Sequence, residues 1–359
     1  MPPQTISVLV ADDSRVARML LVHLLESDPQ IRIAGAVSDG REALDFVRGN
    51  KPDVILMDLH MPHLNGFEAT RLIMETRPVP IVICSGTTDI KEASTAFRTM
   101  EAGAVACVQK PVAQDHSDFE RLGATLLETV KLMSEVKVVR RWPVSRSHPN
   151  GATGAVQVRQ SAAGVTIVGI GASTGGPPVL QTILSNLPRD FAGALLVVQH
   201  VARGFLPGMV DWLNQTAGLP VHIASHGVFP LPGHAYLAPD DLHMGVGAGG
   251  RIILTDSPPE NGLRPAVAHL FRSLAGMCGP NAVGVLLTGM GRDGAAELKL
   301  MRKAGAITIA QDRETSVVNG MPGAAVELDA AIHVLSLDRI APTILTLVNR
   351  WQLFREATP

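Results

Sequence analysis

At 359 residues the chain is too long for one typical domain and suits two, each able to bury its own core. A balance of 31 Lys and Arg against 33 Asp and Glu, a formal charge of −2 with no long single-sign run, argues against a nucleic-acid binder held by phosphate contacts. Three scattered cysteines, Cys84, Cys107 and Cys278, offer neither a disulfide framework nor a CxxC metal pair, which points to a reducing cytoplasm. The N-terminal segment lacks a cationic region and a cleavage site, so no signal peptide is expected, and no apolar stretch reaches the roughly 18 residues of a membrane span. In chain order, apolar runs predict strands at Val8–Val10, Ile31–Val37, Val54–Met57, Ile81–Cys84 and Ala104–Val108, with amphipathic segments between them. Between about Met133 and Gly164 the periodicity fails, and Arg140, Arg141, Pro143, Ser145 and Pro149 read as a linker. A second series follows at Val165–Ile170, Ala194–Gln199, Val221–Ala224, Ala235–Leu237, Val283–Leu287 and Ala306–Ala310. Strands alternating with helices imply α/β domains with parallel sheets, and a hydrophobic content of 46% with only 4% aromatic residues suits Val, Leu, Ile and Ala cores.

In the first half, Asp12 and Asp13 follow the first strand, Asp58 the third, Ser85 ends the fourth and Lys110 follows the fifth. Strand C-termini of a parallel sheet share one edge, so these groups converge in one crevice. Any one of the acids alone reads as a helix N-cap. Three carboxylates together need a divalent cation, and hard oxygen ligands suit Mg²⁺. A lysine and a hydroxyl beside them can bind phosphoryl oxygens, and a carboxylate can capture a phosphoryl group covalently. Asp12-Asp13, the run Asp58-Leu59-His60-Met61-Pro62 with Asn65-Gly66, Ser85 and Lys110-Pro111 resemble a response-regulator receiver domain over residues 5–127. The resemblance implies phosphorylation of Asp58 by a histidine kinase, with Mg²⁺ held by Asp12, Asp13 and Asp58. Two positions depart from the family's habit: Cys107 stands where an aromatic switch residue is usual, and His60 sits two residues past the phosphoacceptor.

In the second half, Gly169-Ile170-Gly171-Ala172-Ser173-Thr174-Gly175-Gly176-Pro177 leads from a buried-type strand into a helix expected at Pro178–Leu187. By itself such a turn reads equally as a mononucleotide-binding loop, although the lysine of a P-loop is missing, and it is not a G-x-S-x-G elbow. The next strand ends at His200, and a later one leads into Thr288-Gly289-Met290-Gly291-Arg292-Asp293-Gly294. Ser173, His200 and Asp293 thus all lie beyond strand C-termini of one sheet, where a nucleophile, a base and an orienting carboxylate can meet. His222, His226, His234, His243 and His269 show no HxxxH spacing and read as structural or surface residues.

These motifs, with Gln199-His200, Arg264-Pro265, Gln311-Asp312 and Gly320-Met321-Pro322, resemble the catalytic domain of the chemotaxis protein-glutamate methylesterases over residues 165–355. The implied organisation is a flavodoxin-like receiver domain at 1–130, a linker at 131–164 and a Rossmann-like methylesterase domain at 165–359, two doubly wound α/β domains. The implied activity is hydrolysis of glutamate methyl esters on chemoreceptors, with deamidation of selected receptor glutamines, in a cytoplasmic enzyme that needs no cofactor for the esterase reaction. Ser173, His200 and Asp293 would form the triad, with oxyanion support from Met290 and Thr174. The expected partners are methyl-accepting receptors and a histidine kinase, with no nucleic acid and no membrane insertion. Val201-Ala202 replaces the family's usual Met-Pro, and Asn319 stands where an aromatic is favoured. The competing reading is a receiver-type regulator or phosphate sink that kept the fold without the esterase chemistry.

Overall fold

The structure, a computed structural model, describes residues 5–86, 90–111, 116–136, 138 and 167–356. The first unit runs β1 (Ile6–Ala11), α1 (Arg15–Glu26), β2 (Ile31–Val37), α2 (Gly40–Gly49), β3 (Val54–Met57), α3 (Gly66–Thr76), β4 (Ile81–Ser85), α4 (Ile90–Ala102), β5 (Ala106–Gln109) and α5 (His116–Ser134). Its five strands pair in parallel in the order β2-β1-β3-β4-β5. Every side chain of β3 and β4 is buried, as expected for strands covered on both faces. The helices start on local caps. The Ser14 side chain accepts from Ala17 N, Asp39 from Arg41 N and Glu42 N, and Asn65 from Glu68 N.

The second unit runs β6 (Ile167–Ala172), α6 (Gly176–Ser185), β7 (Ala194–Gln199), α7 (Leu206–Thr216), β8 (Val221–Ile223), β9 (Ala235–Leu237), β10 (His243–Val246), β11 (Ile252–Thr255), α8 (Val267–Met277), β12 (Ala282–Leu286), α9 (Ala295–Lys303), β13 (Ile307–Gln311), α10 (Met321–Glu327), β14 (His333–Leu335) and α11 (Leu337–Glu356). Seven of these strands form a parallel sheet ordered β14-β13-β12-β6-β7-β9-β8, while β10 and β11 make a separate antiparallel hairpin. Both main sheets are therefore wholly parallel, as the alternation of elements implies. The expected strands fall within two residues of the observed ones. The hairpin and the edge strand β14 have no counterpart in the sequence reading. The expected linker, 131–164, lies outside the described residues except at its start, where α5 continues to Ser134, and Val165 also lies outside them.

In each sheet the chain reverses its direction of winding beside a central strand: between β1 and β3 in the first, and between β6 and β12 in the second. Loops leaving adjacent strands in opposite directions open a crevice at their C-terminal ends. The two units also pack on each other. The Phe97 ring of α4 stacks on the Trp212 ring of α7, with centroids 5.7 Å apart, and both side chains are buried. Arg98 of α4 donates to the Gln215 side chain of α7. At a second contact, Val318 shares a buried cluster with Leu126, Val130 and Met133 of α5, and Met290 and Val317 pack against that cluster.

Candidate active site and phosphoryl-accepting site

At the crevice of the first sheet, Asp12, Asp13 and Asp58 bring carboxylate oxygens within 4.8 Å of one another. Asp12 and Asp58 are buried and Asp13 is exposed. Lys110 Nζ lies 2.7 Å from Asp12 Oδ2 and 3.2 Å from Asp58 Oδ1, and Leu59 N donates to Asp58 Oδ1 at 2.9 Å. Burial, reinforced by the neighbouring Asp12, pushes the Asp58 carboxyl up even though Lys110 opposes the shift. Burial alone would pull Lys110 down, but Asp12 and Asp58 outweigh it and hold the ammonium above its ordinary value. Crowded, partly desolvated carboxylates of this kind form a donor set that suits a hard divalent cation. Ser85 is buried at the end of β4, where its carbonyl accepts from Lys110 N at 2.7 Å, so the hydroxyl-bearing residue and the lysine occupy neighbouring strand ends. Cys107, half-buried on β5, packs against the cluster that includes Phe97 and Trp212, and burial pushes its thiol up to about 12.

The crevice of the second sheet gathers the other predicted residues. β6 ends one residue before Ser173, whose N–H donates to Thr288 O at 3.0 Å. His200, directly after β7, donates its own N–H to Ala172 O at 3.0 Å, which ties its backbone to the residue before Ser173. His200 Nε2 lies 3.0 Å from Asp293 Oδ2, within ion-pair reach of the carboxylate but without the alignment of a hydrogen bond. Gly289 backs directly onto the serine, since a Cβ there would stand 2.7 Å from Ser173 Cβ. Ser173, His200, Asp293 and the Gly289-Met290 backbone thus share one cleft. No hydrogen bond joins Ser173 Oγ to His200 among the described residues. Thr174 offers its carbonyl to Thr288 Oγ1 at 2.9 Å, and Thr288 N in turn donates to Gln311 Oε1 at 2.9 Å. Met290 is half-buried in a groove between the two units with Ile6, Asp53, Leu132 and Glu135.

One feature of Asp293 escaped the sequence reading. Its carboxylate accepts from Val267 N at 2.6 Å and Ala268 N at 3.0 Å, the first two N–H groups of α8. The cap position of that helix is Ala266, which has no side chain able to serve, so Asp293 is its N-cap from 26 residues away. Among the histidines, His243, His269 and Glu260 bring ligand-type atoms within 4.8 Å of one another. Both His243 nitrogens are already engaged, Nδ1 by Ala266 N and Nε2 with Pro258 O, and Glu260 is clamped by Arg272. This cluster therefore serves to pin the start of α8.

Comparison with known proteins decides the family. A protein-glutamate methylesterase/protein-glutamine glutaminase of Nitrosospira multiformis is 51% identical over 96% of this chain and 97% of its own length. The chain belongs to the CheB methylesterase family. A Geobacter metallireducens protein of the same description is 51% identical over 95% of this chain and 99% of its own. The CheB methylesterase family profile matches residues 168–344, and the response regulator receiver profile matches 8–118. The crystal structure of the Thermotoga maritima CheB methylesterase catalytic domain is 37% identical, with a TM-score of 0.50, and aligns with 52% of this chain and 100% of its own. Among the described residues no helix is long and apolar enough to cross a membrane.

Proposed function

We propose that this CheB-family chain is a phosphorylation-regulated methylesterase that hydrolyses glutamate methyl esters on chemoreceptors, releasing methanol, and deamidates selected receptor glutamines. The observation that carries the reading is the His200–Asp293 pair, 3.0 Å apart, standing beside Ser173 at the switch point of the second sheet. Ser173 Oγ attacks the ester carbonyl while His200 takes its proton. Because Nε2 faces Asp293, Nδ1 is the nitrogen left for the serine. The Met290 N–H, with Thr174 N–H, faces the developing oxyanion, and each such donor is worth about 10²–10³ in rate. His200 then protonates the departing methoxide, and water, deprotonated by His200, hydrolyses the acyl-enzyme and restores the carboxylate. A glutamine amide presents the same acyl centre and releases ammonia in place of methanol.

Regulation resides in the first domain. Asp12, Asp13 and Asp58 would hold Mg²⁺, which when bound neutralises the carboxylates and the incoming phosphoryl oxygens. Asp58 is the acceptor, Lys110 and Ser85 bind the phosphoryl group, and a histidine kinase is the donor. The unphosphorylated receiver holds the second unit through α4 on α7 and through α5 on Met290 and Val318, beside the cleft. Phosphorylation of Asp58 loosens that hold. The free thiols and the absence of a spanning helix among the described residues support a cytoplasmic enzyme acting on the cytoplasmic part of its receptors. The test is methanol release from methylated receptor: Ser173→Ala should abolish it while leaving phosphotransfer to Asp58 intact, and retained release would remove the nucleophile assignment.

A further inference from the structure

Gln199 has no part in the scheme above, yet its side chain joins the two residues that do the chemistry. It is the last residue of β7, 4% exposed, and its amide turns under the nucleophile loop. Nε2 donates to the Ser173 carbonyl at 2.8 Å and to the His200 carbonyl at 2.9 Å. Neither carbonyl can donate, so the amide nitrogen must be the atom that faces them, and the orientation follows from chemistry. The Ser173 carbonyl also accepts from Gly176 N at 2.8 Å, so it is held from two directions.

The opposite end of the amide carries a stability cost. Gln199 Oε1 is buried and has no hydrogen-bond partner. It presses on the start of α6, where a Cβ at Gly176 would stand 2.0 Å from it. A buried acceptor left unpaired is destabilising, and methionine would fill a similar volume with no such penalty. What methionine cannot do is donate to both carbonyls at once.

We propose that Gln199 is a positioning residue that sets the approach of His200 to Ser173 by bridging their carbonyl groups. The proposal rests on Ser173 and His200 being nucleophile and base. Both belong to loops leaving adjacent strands, and a displacement of about 1 Å between reacting groups costs on the order of a hundredfold in rate. Loss of the bridge therefore falls on kcat and leaves receptor affinity alone.

The experiment compares Gln199→Met and Gln199→Glu with wild type in methanol release from methylated receptor. Q199M should lose about a hundredfold in kcat at nearly constant KM. Q199E carries a charge-sensitive signature. Ionised, its carboxylate opposes two carbonyl oxygens; protonated, it has one O–H to donate. The ratio of Q199E to wild-type kcat should therefore rise between about pH 8 and about pH 5.5, while the Q199M ratio stays flat. Where Q199M melts far below wild type, the Q199E ratio decides alone. A wild-type kcat in Q199M, or a Q199E ratio independent of pH, overturns the proposal. Ser173→Ala in the same assay separates the two readings. Release by S173A removes the nucleophile assignment and this proposal with it, whereas loss in S173A beside full activity in Q199M overturns the positioning role alone.

Discussion

Replacing Gly208 by alanine tests how tightly the receiver restrains the esterase. Gly208 lies in α7 where it meets α4, and a Cβ there would come within 2.4 Å of Ala93 Cβ and 2.7 Å of Ser94 N. Neither neighbour is a flexible side-chain tip, so the two helices must separate by about 1 Å to restore ordinary contact. Within α7 itself alanine is favoured over glycine by about 1 kcal/mol, so the second unit gains stability while the interface loses it. Overpacking of this kind costs about 1–3 kcal/mol, which moves a closed-to-open equilibrium by roughly 5- to 150-fold. Methanol release without any phosphodonor should rise by that factor, up to the ceiling set by phosphorylated wild type, and the fold-activation by phosphodonor should shrink in proportion. Unchanged basal release, with unchanged fold-activation, would refute the idea that the α4–α7 contact restrains the enzyme.

Three further outcomes follow from the geometry. Asp293→Ala removes both the partner of His200 and the cap of α8, so kcat should fall by about 10⁴ and unfolding free energy by about 1 kcal/mol, read from kinetics and urea denaturation. Glu260 is held down to about 2, first by Arg272, with His269 adding to it. A depressed carboxyl stabilises the fold above its unfolded value near 4.5 and loses that contribution as pH falls towards 2. With the half-exposed Arg272 screened by solvent, the loss is at most about 1 kcal/mol, and Glu260→Gln should flatten the stability curve in that window. Asp58→Asn, or chelation of divalent cations, should abolish activation by phosphodonor while leaving the basal rate in place; activation that survives both would remove Asp58 as the acceptor.

The sequence disclosed the elements whose signal is local and hid those made by distant partners. Strands such as Val54–Met57 and Ala194–Gln199 are continuous apolar runs because both faces are covered, and their ends place Asp58 and His200 at sheet edges. The hairpin strand His243–Val246 mixes histidine and glycine, and β14 is three residues with partly exposed side chains, so neither carries a periodic signature. Helix α8 begins without Ser, Thr, Asp or Asn, which in retrospect signals a remote acceptor, but nothing local names Asp293. Phe97 and Trp212 are apolar residues of two helices, and nothing in their local sequence distinguishes an interface from a core. Periodicity reveals that a face is buried and is silent on which element buries it, so the contact between the units could not be read in advance. Gln199 adjoins His200 in the chain, yet its bond to Ser173 spans 26 residues and depends on the side chain turning back.

The lodging of Met290 and Val318 against the receiver has a reciprocal side. If a phosphoryl group on Asp58 weakens that contact by some free energy, then whatever occupies the cleft by displacing the receiver must favour the phosphorylated form by the same amount. A docked receptor thereby acts as an effector of the acceptor aspartate: methylated receptor should lower the phosphodonor concentration needed for half-maximal labelling of Asp58, whereas labelling indifferent to receptor would mean that the two events are uncoupled. At equilibrium the phosphorylated form would then be most populated where receptor occupies the cleft.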